Sequence, residues 1–572
     1  MRRSGLVGVA AAVLIAGSAV VPHGPQAFAA PISGTSAAAG VTAVASAGNH
    51  HDSRPGRDRA VLGRYKRIVV IYQENHSFDN LFGAWGSVDG ERVEGVDQAD
   101  PAHATQVAQN SSPLSCLPQN DVNLASPPQA VSCVDAARSI TSAFENRPFT
   151  IDDYIKPADN TCPAEGVSAP FGVLKDSPGA LTGGCTRDLV HRFYQEKYQI
   201  DHGKQDRYLI GSDAIGLTMG VYDTKQLPIY TYLHESGAPN YVIADRFFQG
   251  ANGGSFLNHQ WLIAGRAPYV DQTGEIPGTA RPVNSIVDSN GMPTSYPFYV
   301  ATGPVLDRQL TVACPPSADR ADPVDTENYR LGCGNFAVNT VQPASRPYNA
   351  NGPFMPLIDD EEYPNIGDRL TDRGISWAWY SGGWDAAEAG APGKLFQYHH
   401  QPFNYFKAYS AGRPGRHHLQ DETDFIDAAR IGNLPTVSFV KPCGAENEHP
   451  GYASATSGSK HLVDLIDAVV TGPQGKDTLV IVTYDEFGGQ WDHVSPPGRG
   501  SPTKGAYDAF GPGTRIPALL VSAGMTSSGV DHTSYDTTSI LTTLEHAFGL
   551  APVGIRDTKV NDLRKAVRVG SR

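Results

Sequence analysis

The feature that most constrains how this chain can fold is a pair of continuous apolar runs, each driving straight into a dense polar cluster. Residues 67–83 read RIVVIYQENHSFDNLFG, and residues 478–497, roughly 400 positions later, read TLVIVTYDEFGGQWDHVSPP. No polar residue alternates within 68–71 or 479–482, which suits strands covered on both faces in a parallel sheet. In such sheets ligands gather at the carboxyl ends of the strands. Glu74, Asn75, His76, Ser77 and Asp79 follow the first run there, and Asp485, Glu486, Asp492 and His493 follow the second. Neighbouring carboxylates at the end of a buried strand repel each other and lose solvation, so a cation or strong hydrogen bonds must compensate them. Oxygen ligands of this kind suit Mg²⁺, Ca²⁺ or Mn²⁺, and an added His admits Zn²⁺.

Further apolar runs at 241–244, 375–380, 436–440 and 516–521 alternate with stretches at 189–198, 225–235, 461–471 and 537–548 whose apolar residues recur at three- and four-residue spacing. This alternation predicts an α/β fold, a mainly parallel sheet flanked by helices. Between about 98 and 185, and again between 273 and 353, the pattern dissolves into Pro, Ser, Asn, Gly and Cys. These blocks read as loop insertions that wall a site, so 61–572 is taken as one domain.

The start of the chain reads differently. Arg2 and Arg3, an apolar core at 6–21 and the small-residue sequence Ala27-Phe28-Ala29 predict a secretory signal peptide over 1–29. That core is too short and too broken by Gly and Ser for a stable membrane span. Residues 30–60, rich in Ala, Ser, Gly and His, are expected to be a disordered leader, and the mature protein is expected to be secreted. Seven cysteines in an exported chain predict disulfides, with Cys116 and Cys133, Cys162 and Cys185, and Cys314 and Cys333 as sequence neighbours and Cys443 left over. The formal charge of −14 argues against a general nucleic-acid binder. A small phosphorylated substrate stays compatible with it if a metal or local cations offset the charge.

Two more segments carry chemistry. Residues 244–261, ADRFFQGANGGSFLNHQW, lead through Asn252-Gly253-Gly254 to Ser255, then Asn258 and His259. Glycines directly before a Ser allow close backbone approach and the strained turn that exposes a nucleophilic hydroxyl, although an ordinary Gly-Gly-Ser turn has the same letters. Residues 436–452, TVSFVKPCGAENEHPGY, deliver Glu448 and His449 from another strand end. A Ser hydroxyl needs a base or a metal to deprotonate it. The G-x-S-x-G elbow of serine hydrolases is missing and no Ser, Asp, His triad stands out, so metal activation is the better account. Histidines nearby would stabilise charge or protonate the leaving group. Ser77, in the loudest motif, precedes Phe78 and Asp79 and is expected to cap a helix rather than to react.

Taken in order, Glu74 to Asp79, Met219-Gly220-Val221-Tyr222 with Leu227-Pro228, Gly254 to Asn258, Glu448-His449-Pro450, and Thr483-Tyr484-Asp485-Glu486 with Asp492 to Pro497 resemble a bacterial phosphoesterase family. That family unites phosphatidylcholine-type phospholipases C with secreted acid phosphatases, and the resemblance runs from about 66 to 550. It implies an alkaline-phosphatase-like fold and hydrolysis of phosphomonoesters or phosphodiesters through a metal-bound Ser or Thr. Carried onto this chain, it implies Asn75, Ser255, Asp485 and Glu486 as ligands of a divalent metal (Ca, Mg, Mn or Zn), with Glu74 as a ligand or its immediate supporter. Ser255 would be the nucleophile. His202, in Asp201 to Asp206 beside a Gly-Lys pair, resembles a substrate-contacting position, and His449 a phosphate-contacting one. Either His399 or His400 would supply another contact, and the doubled His leaves the register open. Asp492 and His493 match a supporting position.

The function expected is a secreted metal-dependent phosphoesterase acting on phosphate monoesters through a phosphoserine intermediate. The alternative is a phospholipase C that takes phospholipid head groups. Phospholipases of the family often carry extra β-rich domains after the core, whereas this sequence ends some twenty residues past Leu550. A non-catalytic secreted binding protein on the same fold would show gaps among the ligands, and the sequence shows none. Sulfate-ester hydrolysis would need a C/S-x-P-x-R setting that Ser255 lacks.

Overall fold

The computed structural model describes residues 61–118, 130–153, 188–268, 287–302, 357–361, 363–393, 395–498 and 500–572. The expected signal peptide and leader, the Cys162/Cys185 and Cys314/Cys333 pairs, and much of both insertions lie outside the described residues. Cys116 and Cys133 form the disulfide expected of them, and Cys443 is a free thiol. Among the described residues, no helix is long and apolar enough to cross a membrane.

Eight strands form one sheet. In chain order they are β1 (Arg67–Gln73), β2 (Asn240–Ala244), β3 (Trp377–Ser381), β4 (Leu419–Asp421), β5 (Val437–Lys441), β6 (Thr478–Tyr484), β7 (Ala518–Ser522) and β8 (Gly529–Asp531). Across the sheet they run β4-β3-β5-β1-β6-β7-β2-β8. Only β7 is antiparallel to its neighbours, β6 and β2. The two runs that opened the sequence lie side by side at the centre, with Arg67 opposite Thr478 and Gln73 opposite Tyr484. All of β6, and β1 from Ile68 onward, is buried, as runs without polar alternation require.

Helices cover the sheet. Those that matter here are α1 (Phe78–Phe82), α2 (Phe193–Ile200), α3 (Ser255–Ala264), α4 (Ala455–Val470) and α5 (Thr538–Phe548). On α4, Leu462, Leu465, Ile466 and Val469 repeat at helical spacing and face the core. The helix starts six residues before the expected 461, because Ser454 caps it by accepting from the Ser457 N–H. All ten residues of α3 are buried. With no exposed face, and with Ser255, Asn258, His259 and Gln260 buried among its apolar residues, that helix has no amphipathic period to read, and it escaped the sequence pattern.

Candidate active site

The site is assembled where β1, β5 and β6 end. Because Gln73 and Tyr484 are paired, Glu74 and Asp485 each stand one residue beyond the same rung. The Asp485 N–H donates to the Gln73 carbonyl at 3.1 Å, which carries the ladder one step further. Asn75 turns the chain at φ 58°, and its N–H donates to Asp485 Oδ1 at 3.3 Å. The following Gly-Gly turn is packed against this: a Cβ on Gly488 would sit 2.3 Å from the Asn75 carbonyl oxygen, so no larger residue fits.

Ser255 arrives from β2 as the first residue of α3. Gly253, at φ 104°, lets the approach lie directly on α2, where a Cβ would come 2.8 Å from the Phe193 nitrogen. The Ser255 hydroxyl donates to Glu486 Oε1 at 3.4 Å. His191 Nε2 lies 3.4 Å from the same oxygen, and its Nδ1 is 2.6 Å from the Leu189 carbonyl. The second Glu486 oxygen accepts from the Gly488 N–H at 2.7 Å.

Glu74 is the charged hub on the other side. Its Oε1 lies 2.7 Å from Lys441 Nζ and 2.8 Å from His400 Nε2, and its Oε2 lies 3.7 Å from His449 Nε2. Lys441 also donates to the Gln73 carbonyl at 2.9 Å. His449 Nδ1 faces the Pro450 carbonyl at 2.8 Å, and Nε2 faces Asn75 Nδ2 at 3.0 Å. A neutral ring with its proton on Nδ1 satisfies both contacts. His259 stacks on His400, with ring centroids 5.6 Å apart, and its Nδ1 is 2.7 Å from the Ser255 carbonyl.

Burial sets the protonation of these groups. It pushes Asp485 up to about 7, with the Glu74 charge adding to the effect, and it raises Glu486 well above the carboxylate range, with Asp485 adding. Burial alone would raise Glu74 too, but Lys441 and then His400 hold it well below the usual range. His259 and His399 are driven well below the ordinary imidazole value by burial, and His191, His400 and His449 are lowered by the same cause.

The residues fit a divalent cation. Asp485 Oδ2, Asn75 Oδ1, His259 Nε2 and both ring nitrogens of His399 are buried without a hydrogen-bond partner. Buried polar atoms without a partner are expensive, and a hard cation satisfies several acceptors at once. Ligand atoms of Glu74, His259 and Asp485 lie within 4.8 Å of one another, as do those of Glu74, His399 and His400.

Glu74, Asn75, Ser255, Asp485, Glu486, His400 and His449 thus come together in one buried place. Of the doubled histidines, His400 touches Glu74, while His399 lies edge-on to His400 and His259. His202 is placed differently: it is exposed, at φ 57° in the turn Asp201–Gly203, where a Cβ on Gly500 would meet its carbonyl. His191 and Lys441 were not expected in the site, and His259 was named beside Ser255 without a role. His191 was hidden inside a stretch read as helix, although α2 starts only at Phe193. Lys441 is the last residue of a strand whose other members are apolar or Ser.

Asp492 and His493 belong to a neighbouring charge cluster. Arg515 donates to Asp79 Oδ1 at 2.9 Å and to Asp492 Oδ1 at 3.0 Å, and the His493 N–H donates to Asp79 Oδ2 at 2.7 Å. Asp492 Oδ2 accepts from the Asp79 N–H at 2.9 Å, so the cluster fastens α1 to the loop after β6. Ser77 caps α1, accepting from the Asn80 N–H and donating to the Trp491 carbonyl at 2.7 Å.

A family model described as "Phosphoesterase family" matches residues 65–551. Among curated proteins, the non-hemolytic phospholipase C of Pseudomonas aeruginosa is 26% identical over 250 residues, 38% of this chain and 33% of that protein. Phospholipase C B of Mycobacterium tuberculosis is 30% identical over 160 residues, 24% of this chain and 30% of its own length. Phospholipase C A of the same organism is 22% identical over 535 residues, 88% of this chain and 76% of its own. The chain spans a third or less of the first curated relatives it matches. Among solved structures, an alkaline phosphatase superfamily protein from Vibrio parahaemolyticus matches at 12% identity and a TM-score of 0.21, over 34% of this chain and 50% of that one, a likeness too slight to argue from.

Proposed function

The chain belongs to the phosphoesterase family, and on that premise we propose that it is a metal-dependent hydrolase of phosphoric esters with Ser255 as nucleophile. One observation carries this reading: the Ser255 hydroxyl points at Glu486 Oε1 from the start of α3, inside a buried set of carboxylates that still has orphaned acceptors. Asn75, Ser255, Asp485 and Glu486, with Glu74 and His259 at hand, would hold a divalent cation, which when bound would lower the pKa of the hydroxyl and offset the charge of the phosphoryl group.

The chain's own groups account for the rest. Glu486 Oε1 accepts the hydrogen bond of the Ser255 hydroxyl and so stands where that proton is given up. The same oxygen faces His191 Nε2, which offers a route for that proton toward the departing oxygen. The start of α3, where Gly254 provides no side-chain cap, favours an anionic phosphoryl group beside Ser255. As the bond from Ser255 Oγ to phosphorus forms, the bond to the alcohol breaks and the alcohol leaves with a proton. Water then cleaves the phosphoserine, releases the phosphate and restores the hydroxyl.

For the ester itself, the monoester expectation has a rival in phospholipase C chemistry. The names of the relatives favour the rival, including the one aligned over most of this chain. Export is part of the proposal. The basic, apolar and small-residue opening of the sequence supports it, and the Cys116–Cys133 disulfide suits an oxidising compartment.

The test is an assay of the purified protein on p-nitrophenyl phosphate, bis-p-nitrophenyl phosphate and phosphatidylcholine, with and without chelator, beside Ser255→Ala. Loss of turnover on chelation and in the variant supports the mechanism; turnover that survives both sinks it. Activity confined to the two diesters decides for the phospholipase reading.

A further inference from the structure

We infer that Glu196, a residue to which the mechanism above gives no role, is a positioning residue that fixes the nucleophile loop against the loop of acidic ligands; the inference rests on the proposed function. Glu196 lies in α2 and is 0% exposed. Its Oε2 accepts from the Gly253 N–H at 2.5 Å and from Gln249 Nε2 at 2.7 Å, and its Oε1 accepts from the Thr514 N–H at 2.7 Å. The chain of contacts continues, because Gln249 Oε1 accepts from the Phe487 N–H at 2.8 Å. Gly253 stands two residues before Ser255, and Phe487 directly follows Glu486. One buried carboxylate therefore holds the approach to Ser255 directly and, through a single amide side chain, the backbone just after Asp485-Glu486.

The fit is specific to a carboxylate. Three N–H groups converge on two oxygens, a demand that the ionised carboxylate meets and an amide cannot, since one end of a Gln would present its own N–H to a donor. Burial pushes Glu196 up to about 8, and the N–H groups of Thr514 and Gly253 oppose that rise. The packing leaves no slack either: a Cβ on Gly513 would come 2.5 Å from Glu196 Oε1 and 2.6 Å from Gln249 Nε2. Displacing a reacting group by about 1 Å costs on the order of 100-fold in rate, so loosening this clamp should be read in kcat more than in KM.

The experiment compares Glu196→Gln, Gln249→Leu and their double variant with Glu545→Gln, a buried carboxylate of α5 with no place in the site. Two readouts are taken: kcat and KM on the ester that the wild type turns over best, and hydrogen exchange followed by mass spectrometry. Glu196→Gln should lower kcat about 10–100-fold with KM within about threefold. It should also speed exchange in peptides covering 249–257 and 485–489 while leaving those of β1 and β5 unchanged. Gln249→Leu should do the same in part, and the double variant should lose less than the product of the two, because both act through one network. A kcat within twofold of wild type, or a loss that tracks the fall in Tm as in Glu545→Gln, overturns the inference. So does unchanged exchange in both peptides. If no ester is turned over, or Ser255→Ala matches the wild type, the proposed function fails, and the exchange readout alone decides whether Glu196 joins the two loops.

Discussion

Lys441 Nζ lies 2.7 Å from Glu74 Oε1, and both side chains are shut off from solvent. Lys441 pairs directly with the hub of the site, so removing it strands a buried anion. Breaking such a pair costs about 3–5 kcal/mol. Lys441→Met should lower the unfolding free energy by about that much in chelator-treated protein, and adding Glu74→Gln should recover a large part of it. Denaturant titration of the three variants checks this, and a loss under about 1 kcal/mol in Lys441→Met contradicts it.

The pH dependence of stability follows from opposed shifts. Asp485 and Glu486 bind protons more tightly folded than unfolded, so without a cation their contribution is complete below the unfolded carboxyl range, about 4. For Asp485 it is lost as pH rises through about 7. Glu74 runs the other way: held low, it contributes above its unfolded value and gives this up only as pH falls through its depressed folded value. A cation competes with the protons on the two raised acids, so its stabilising effect grows with pH. Adding Mn²⁺ to chelated protein should raise Tm more at pH 8 than at pH 5, and Asp485→Asn should shrink that difference. Equal increments at both pH values would speak against a cation at these acids.

Two serines in conspicuous motifs should behave oppositely. Ser77→Ala removes the cap of α1 and strands the Trp491 carbonyl, a loss of about 1–2 kcal/mol with kcat nearly intact. Ser255→Ala should keep the fold and lower kcat by about 10³-fold or more. Thermal denaturation with steady-state kinetics on both variants separates the roles, and the reverse pattern would move the nucleophile to β1's loop.

Among the histidines, geometry favours His191 over His202. His191 is buried against Glu486, whereas His202 is exposed in its turn. His191→Ala should lower kcat about 100-fold, in line with loss of a proton-transfer group. His202→Ala should change it by less than about threefold by the same measure. A large kcat effect from His202→Ala alone would show that substrate reaches out to that turn.

The parts of this fold that could be read from the sequence are those where burial leaves a one-dimensional trace. β1 and β6 are apolar on both faces, so their ends, and with them Glu74, Asn75, Asp485 and Glu486, stand out as abrupt polar clusters. The direction of β7 left no such trace, because a strand covered on both faces has the same letters either way up. β4 and β8 are three residues long, too short to form a recognisable run. Lys441 and His191 went unread for a different reason. Lys441 is a single polar residue at the end of an apolar strand and His191 lies in the polar approach to α2, and only the folded arrangement shows that Glu74 waits for one and Glu486 for the other.

The rung that joins Gln73 to Tyr484 has a consequence for how such a chain can change over time. Glu74 and Asp485 are separated by roughly 400 residues of sequence, yet their spacing across the site is inherited from the distance between adjacent strands, about 4.8 Å. Loops between them can lengthen, shorten or acquire disulfides without altering that distance. A slip of one residue between β1 and β6, by contrast, would send one acid to the opposite face of the sheet. The loops are therefore free to be remodelled while the pair of acids stays in place.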